Sequence, residues 1–274
     1  MDDAGMRALW AMTLDEKIAA SKAVLASAMG RFGRDFWVAW TGAKDSTLVL
    51  WLTREACAEK GLPMPRVLTI DEGDAFEEVK AFQERMVREW GLDLTMAANR
   101  EVLSRNPNIG DYIAVDELSA ESRAEVERAG FTGPGFPFDP ESPVGNQLMK
   151  VAPMNAFLRQ AGVAALATAI RWDEHPARAG EDYESPRQTP PHLRVHPILH
   201  MREADVWDVT LSRGIPFCEL YRQGYRSLGT KTGTVRVSDL PAWEQDLTDR
   251  SAERAGRDQE KEEAMEQLRS LGYM

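Results

Sequence analysis

Between residues 36 and 97 the chain alternates three short apolar stretches with two helix-patterned runs. Nothing else in it restricts the fold as much. Residues 36–40 (FWVAW) form an unbroken apolar run, and residues 45–60 read as a helix that stops before Gly61 and Pro63. RVLTI at 66–70 is a second strand, and residues 75–90 are a helix with Phe76, Val79, Phe82 and Met86 on one face. A third strand is expected at 92–97. A β-α-β-α-β order at this spacing predicts an α/β fold: an open, mostly parallel, twisted sheet with helices on both faces.

The flanking chain divides around this unit. Residues 1–34 read as an N-terminal helical segment, with a helix over 13–29 opened by a Thr13–Glu16 capping box. Residues 35–235 are the α/β domain. Its alternation breaks at 99–150, an irregular insertion with a weak helix near 117–129 and the Pro/Gly-rich FTGPGFPFDPESPVGN. A long irregular stretch of this kind reads as a mobile flap over a site, or else as an inert insertion. The alternation resumes with a helix at 150–161, strands at 163–170 and 193–198, and a helix at 202–213. Residues 236–274 form a charged tail of helical propensity, a solvated arm or an oligomer contact.

A net charge of −11 and a pI of about 5.0 argue against broad binding to nucleic acid or to an anionic membrane. No apolar run reaches the roughly 20 residues that span a bilayer. The opening MDDAGMRALW carries acids where a secretion signal carries bases, so a cytoplasmic location is expected. Cys57 and Cys218, the two cysteines, are too few for a disulfide framework or a cysteine-built zinc site.

The turn between the first strand and its helix is polar: Thr41, Gly42, Ala43, Lys44, Asp45 and Ser46. Unsatisfied amides at a helix start, aided by the helix dipole, suit an anion. Gly42 admits close approach, Thr41 and Ser46 bring hydroxyls, and Lys44 brings a full charge. The spacing is not that of a Walker A loop. The same residues also read as nothing more than a capped helix.

The turn resembles the S-G-G-x-D-S pyrophosphate loop of the adenine-nucleotide alpha-hydrolase-like superfamily, with Thr41 for the usual Ser and Ala43 for the usual Gly. TIDEG (69–73) is similar to its h-h-D-T-G segment, and AIRWDEHPAR (169–178) to G-x-R-x-D-E-x-x-x-R. RVHPILHMREADVW (194–207) and IPFCELYRQGYRSLGTKTGT (215–234) follow in the order of the PAPS reductase, sulfate adenylyltransferase small subunit and FAD synthetase family. The resemblance covers roughly residues 35–235. It implies a site for ATP and magnesium. Thr41 to Ser46, with Asp71 and Gly73, would hold the nucleotide, and Lys44, Arg171 and Asp173 would act in catalysis. Arg171, Arg178, Arg226 and Lys231 would bind an anion or substrate, and Asp45 and Asp173 would hold the metal. Other readings stay open: Arg171 as the ion-pair partner of Asp173 or Glu174, Asp71 as a turn cap, Arg226 and Lys231 as solvated charges. His196 and His200, on either side of a strand-ending proline, read as structural.

Reductases of this family need a reactive cysteine, classically in a C-terminal motif, but residues 235–274 have none. Threonine does not replace a thiolate. Redox work and an iron–sulfur cluster are therefore not expected. The expected activity is ATP-dependent adenylyl transfer to an anionic acceptor such as sulfate or FMN, with release of pyrophosphate. The alternatives are a PAPS- or APS-binding reductase-like protein without the cysteine, and a non-catalytic nucleotide-binding subunit. The implied partners are an adenine nucleotide and a small anionic substrate, with a homo-oligomer or a larger partner subunit, of GTPase type in the sulfate branch, left open.

Overall fold

The computed structural model describes residues 3–175, 178–248 and 253. Helices α1 (Asp3–Trp10) and α2 (Leu14–Phe32) come first. The capping box holds: the Thr13 amide donates to the Glu16 carboxylate at 2.8 Å, and the Glu16 amide to Thr13 Oγ1 at 3.3 Å. Then follow β1 (Phe36–Ala39), α3 (Lys44–Lys60), β2 (Arg66–Asp71), α4 (Glu77–Trp90) and β3 (Leu94–Ala98). The segment that interrupts the alternation holds α5 (Arg100–Leu103), β4 (Tyr112–Ala114), α6 (Ala120–Arg128), β5 (Gly135–Pro137) and α7 (Pro143–Asn146). The chain returns through α8 (Ala152–Gln160), β6 (Ala165–Ala167), β7 (Glu184–Gln188), β8 (Pro191–Val195) and α9 (Glu203–Ser212).

Six strands form one sheet in the order β3-β2-β1-β6-β8-β7, all parallel neighbours except the β7–β8 pair. The period-two geometry of a strand explains why β1 is apolar throughout. Phe36, Val38 and Trp40 enter the main core with residues of α2, α3, α4 and α9, while Trp37 packs on the opposite face with Leu68, Leu166 and Leu158 of α8. Each such side chain contributes roughly 1.5–3 kcal/mol on burial. Among the described residues no helix is long and apolar enough to cross a membrane.

The structure revises three expectations. The strand expected at 163–170 is shorter, Ala165–Ala167; Thr168 still donates its amide to the Val195 carbonyl at 2.8 Å, and a turn follows at 172–174. Strand β7 was not foreseen: it reads Glu-Ser-Pro-Arg-Gln, with the proline and charges of an edge strand and no apolar alternation. The insertion at 99–150 is not irregular. It has a two-stranded antiparallel sheet and its own core of Val102, Ile113, Leu118, Val126, Phe136 and Leu148 among others. Residues 147–151 widen to a π-turn just before Pro153, which has no N–H to return to the preceding turn. The helix expected in the tail falls outside the described residues, apart from a 3-10 turn at Ala242–Glu244.

Candidate active site

The strand order reverses at β1, with β2 and β3 on one side and β6 and β8 on the other. The crevice beyond the carboxyl ends of two such strands is where open α/β sheets place ligands. β1 runs into the 41–46 turn and β6 into residues 168–173, so both polar segments face this crevice.

Gly42 has φ +81°, and a Cβ there would lie 3.1 Å from Val79 Cγ1 and 3.3 Å from Gln83 Cγ. Only glycine meets both demands without strain. The rest of the turn largely satisfies itself. The Thr41 amide donates to Ser46 Oγ at 3.2 Å, Thr41 Oγ1 lies 3.1 Å from that oxygen, and the Ser46 hydroxyl donates to the Ala43 carbonyl at 3.0 Å. The Lys44 amide donates to Tyr221 Oη at 2.9 Å. One of the amides expected to receive an anion is thus capped by a buried tyrosine, which the Trp207 ring packs edge-on at 5.1 Å.

The positive charge of the site comes from side chains. Lys44 is 3% exposed, and its Nζ lies 2.9 Å from Glu253 Oε1, 3.3 Å from Asp45 Oδ2 and 3.7 Å from Glu203 Oε1, donating also to the Arg226 carbonyl at 3.3 Å. Arg171 is fully buried. Its Nε donates to Asp173 Oδ1 at 2.9 Å, Nη2 to Glu253 Oε2 at 2.6 Å, and Nη1 to Asp45. Arg226 grips Glu203 at 2.8 and 3.0 Å. Asp173 Oδ2 accepts the Glu203 amide at 2.9 Å and so caps the start of α9.

Burial works against the charged forms of Lys44 and Arg171, but their carboxylate neighbours, Asp45 and Glu253 foremost, hold both pKa values well above the ordinary range. Burial likewise opposes the Glu253 carboxylate, and Arg171 and Lys44 outweigh it, so its pKa is lowered. Asp173 and Glu203 are pushed up, mainly by burial, with Glu253 adding repulsion in each case.

The structure brings Lys44, Asp45, Arg171, Asp173 and Arg226 into one bonded cluster. The remaining sequence candidates stand outside it. Arg178 pairs with Glu174, four residues back. Lys231 is exposed, and its amide donates to the Asp74 carbonyl at 2.7 Å. Asp71 closes its own turn by accepting the Gly73 amide at 2.9 Å, and Gly73 has φ +84°. Asp45 and Asp173 do not fit a metal site as arranged. Both oxygens of Asp45 face Lys44 or Arg171, and those of Asp173 face Arg171 Nε and the Glu203 amide. No group of His, Cys, Asp or Glu among the described residues is placed to hold a cation. An open cavity of about 530 Å³ at the end of β3, lined by Ala98, Asn99, Glu101, Ser122 and Gln160, shares no residue with the cluster.

Three participants escaped sequence reasoning: Tyr221, Glu203 and Glu253. Tyr221 lies in the quoted LYRQGY segment, and Glu203 in the first turn of a capped helix. No local pattern ties either to Lys44, which lies far away in sequence. Glu253 sits among many tail acids with nothing to single it out.

The model of the phosphoadenosine phosphosulfate reductase domain matches residues 35–236. The chain belongs to this family. Within the phosphoadenosine phosphosulfate reductase domain family it is similar to sulfate adenylyltransferase subunit 2 of Pseudomonas paraeruginosa, 27% identical over 252 residues, which cover 84% of this chain and 71% of that protein. The same subunit of Pseudomonas fluorescens is 27% identical over 219 residues, 72% of this chain and 62% of that protein. Among solved structures, FMN adenylyltransferase of Candida glabrata has the same fold, with a TM-score of 0.60 at 17% identity over 93% of this chain and 94% of that one. So does phosphoadenylyl-sulfate reductase of Candida auris, with a TM-score of 0.56 at 16% identity over 86% and 98%.

Proposed function

We propose that this chain transfers the adenylyl group of ATP to a small oxyanion and releases pyrophosphate. The observation that carries the proposal is the convergence of Lys44 and Arg171, from two neighbouring strand ends, on the two oxygens of a single anionic group. Two cations so placed would hold the phosphate oxygens of a nucleotide.

In the reaction an acceptor oxygen attacks the α-phosphorus. The bond from that phosphorus to the bridging oxygen breaks, and pyrophosphate leaves with the electron pair. Such a transfer needs position and charge neutralisation more than covalent help from the protein. Lys44 and Arg171 would neutralise the leaving group, and Gly42 would let the polyphosphate lie against the turn. Asp173 would act at second hand, by fixing Arg171 through its Nε. Magnesium would come with the nucleotide's own phosphates; the two aspartates offered for it are already engaged.

Sulfate is the first acceptor to assay, because the curated relatives are sulfate adenylyltransferase subunits. FMN is the second, the acceptor named for the Candida glabrata structure. The relatives' designation as a second subunit also supports a partner chain for the sulfate reaction. The test is pyrophosphate release with ATP and each acceptor, together with calorimetric ATP binding. Release above an ATP-only blank is expected with one of the two. Absence of ATP binding would overturn the assignment.

A further inference from the structure

Among the described residues, seven ion-paired charges meet at the ends of β1 and β6: Lys44, Arg171 and Arg226 against Asp45, Asp173, Glu203 and Glu253. Three of the carboxylates belong to the α/β body, and they already serve every cation. Lys44 has Asp45 and Glu203, Arg171 has Asp45 and Asp173, and Arg226 has Glu203. Among the described residues Glu253 is therefore a fourth carboxylate against three cations, and it comes from beyond residue 236, where the family match ends. It is nevertheless 3% exposed, with Oε1 on Lys44 Nζ at 2.9 Å and Oε2 on Arg171 Nη2 at 2.6 Å.

We infer that Glu253 is an internal competitor of the substrate: its carboxylate occupies the position a nucleotide phosphate takes between Lys44 and Arg171, and it must leave before the nucleotide binds. This rests on the nucleotide-site reading above. Its two oxygens are shared between two cations in the way a phosphate's would be. Exchange is like for like: one anionic group bridging Lys44 and Arg171 replaces another. The crowding of negative charge also favours departure: repulsion from Glu253 contributes to the upward shifts of both Asp173 and Glu203. The chain would thus set its own affinity for nucleotide, and whatever draws residue 253 away would raise it.

The test is calorimetric titration of ATP and of inorganic pyrophosphate into the full chain, as wild type, Glu253→Gln, Glu253→Asp and Glu244→Gln. Glu244 is an exposed acid of the same tail and controls for net charge. A competitor that keeps about nine molecules in ten closed weakens apparent affinity about tenfold. Glu253→Gln should recover that tenfold for both ligands, Glu253→Asp should recover part of it, and Glu244→Gln should change nothing. Equal or weaker binding by Glu253→Gln overturns the inference while leaving the nucleotide site standing. So does a Glu253→Gln chain that does not fold, since the carboxylate would then be structural. If no variant and no wild-type chain binds either ligand, the nucleotide site itself is wrong, and the competitor falls with it.

Discussion

Two groups of buried charge in this molecule are built on opposite plans. Lys17 of α2 meets Asp205 of α9 at 2.7 Å, both nearly fully buried, and Asp205 also accepts the Arg202 amide at 2.7 Å. Both partners sit within helices of the main body, and the half-exposed Arg202, 3.5 Å from Asp205, completes a group with two cations for its one carboxylate. At the carboxyl edge of the sheet, by contrast, the three cations Lys44, Arg171 and Arg226 face four carboxylates among the described residues, and the fourth comes from residue 253. A closed pair joins two helices. An oversupplied cluster whose last member arrives from outside the family domain is suited to exchange. Burial and ion pairing alone do not separate a structural pair from a ligand site; the balance of partners and their origin do.

The largest test of this contrast removes the closed pair. Lys17→Met leaves Asp205 with only the half-exposed Arg202 for a cation, and stability should fall by about 3 kcal/mol, the low end of the cost of breaking a buried pair, read by urea unfolding. ATP affinity of the folded fraction should not change. If affinity moved with stability, the two groups would not be independent.

Next in size is Arg171→Lys, which keeps the charge and loses the planar fork that reaches Asp45, Asp173 and Glu253 at once. Charge-assisted bonds of this kind are worth about 1.5–3 kcal/mol. ATP binding should therefore weaken by about tenfold to a hundredfold, measured by calorimetry. Arg171→Ala is the poorer probe, since it would leave Asp173 buried without its cation and confuse folding with binding.

A smaller effect, in the opposite region, concerns pH. His192, His196 and His200 all have lowered pKa values, burial being the main cause in each. His200 donates to the Lys17 carbonyl at 3.2 Å, beside the closed pair. For a histidine depressed by folding, the unfolded chain takes up the proton first. Stability is thus fully present above the unfolded value of about 6.5 and is lost as pH falls below it. Urea midpoints should drop between pH 7.5 and 5.5. A flat profile would mean that these rings are not held neutral.

The smallest effect sharpens the boundary of the site. Lys231→Ala removes an exposed cation whose side chain stands outside the bonded cluster, and both stability and ATP affinity should stay within about 0.5 kcal/mol of wild type. A loss comparable to that of Arg171→Lys would extend the site to the 229–234 loop.

The fold was legible because its cause is local. Continuous apolar runs at β1 and β2 announce strands buried on both faces, and the αL glycine Gly61 ends α3 where the stop signals place it. The exceptions have the same kind of reason. β7 carries an edge strand's charges, and the core of the 99–150 segment joins residues as distant as Val102 and Leu148, which no periodicity connects.

The site divides along the same line. By itself the sequence determined that a polar turn with a lysine would follow β1, that an arginine-bearing turn would follow β6, and that a parallel sheet would set both at one edge. Strand direction and turn chemistry are written in neighbouring residues. Only the tertiary structure decided that Tyr221 caps the Lys44 amide, that Asp45 and Asp173 spend their oxygens on Arg171, and that Glu253 lies between the two cations. Those outcomes depend on which charges burial forces together across nearly the whole length of the chain, and the energy of an ion pair is set by the surroundings it is buried in rather than by its neighbours in sequence.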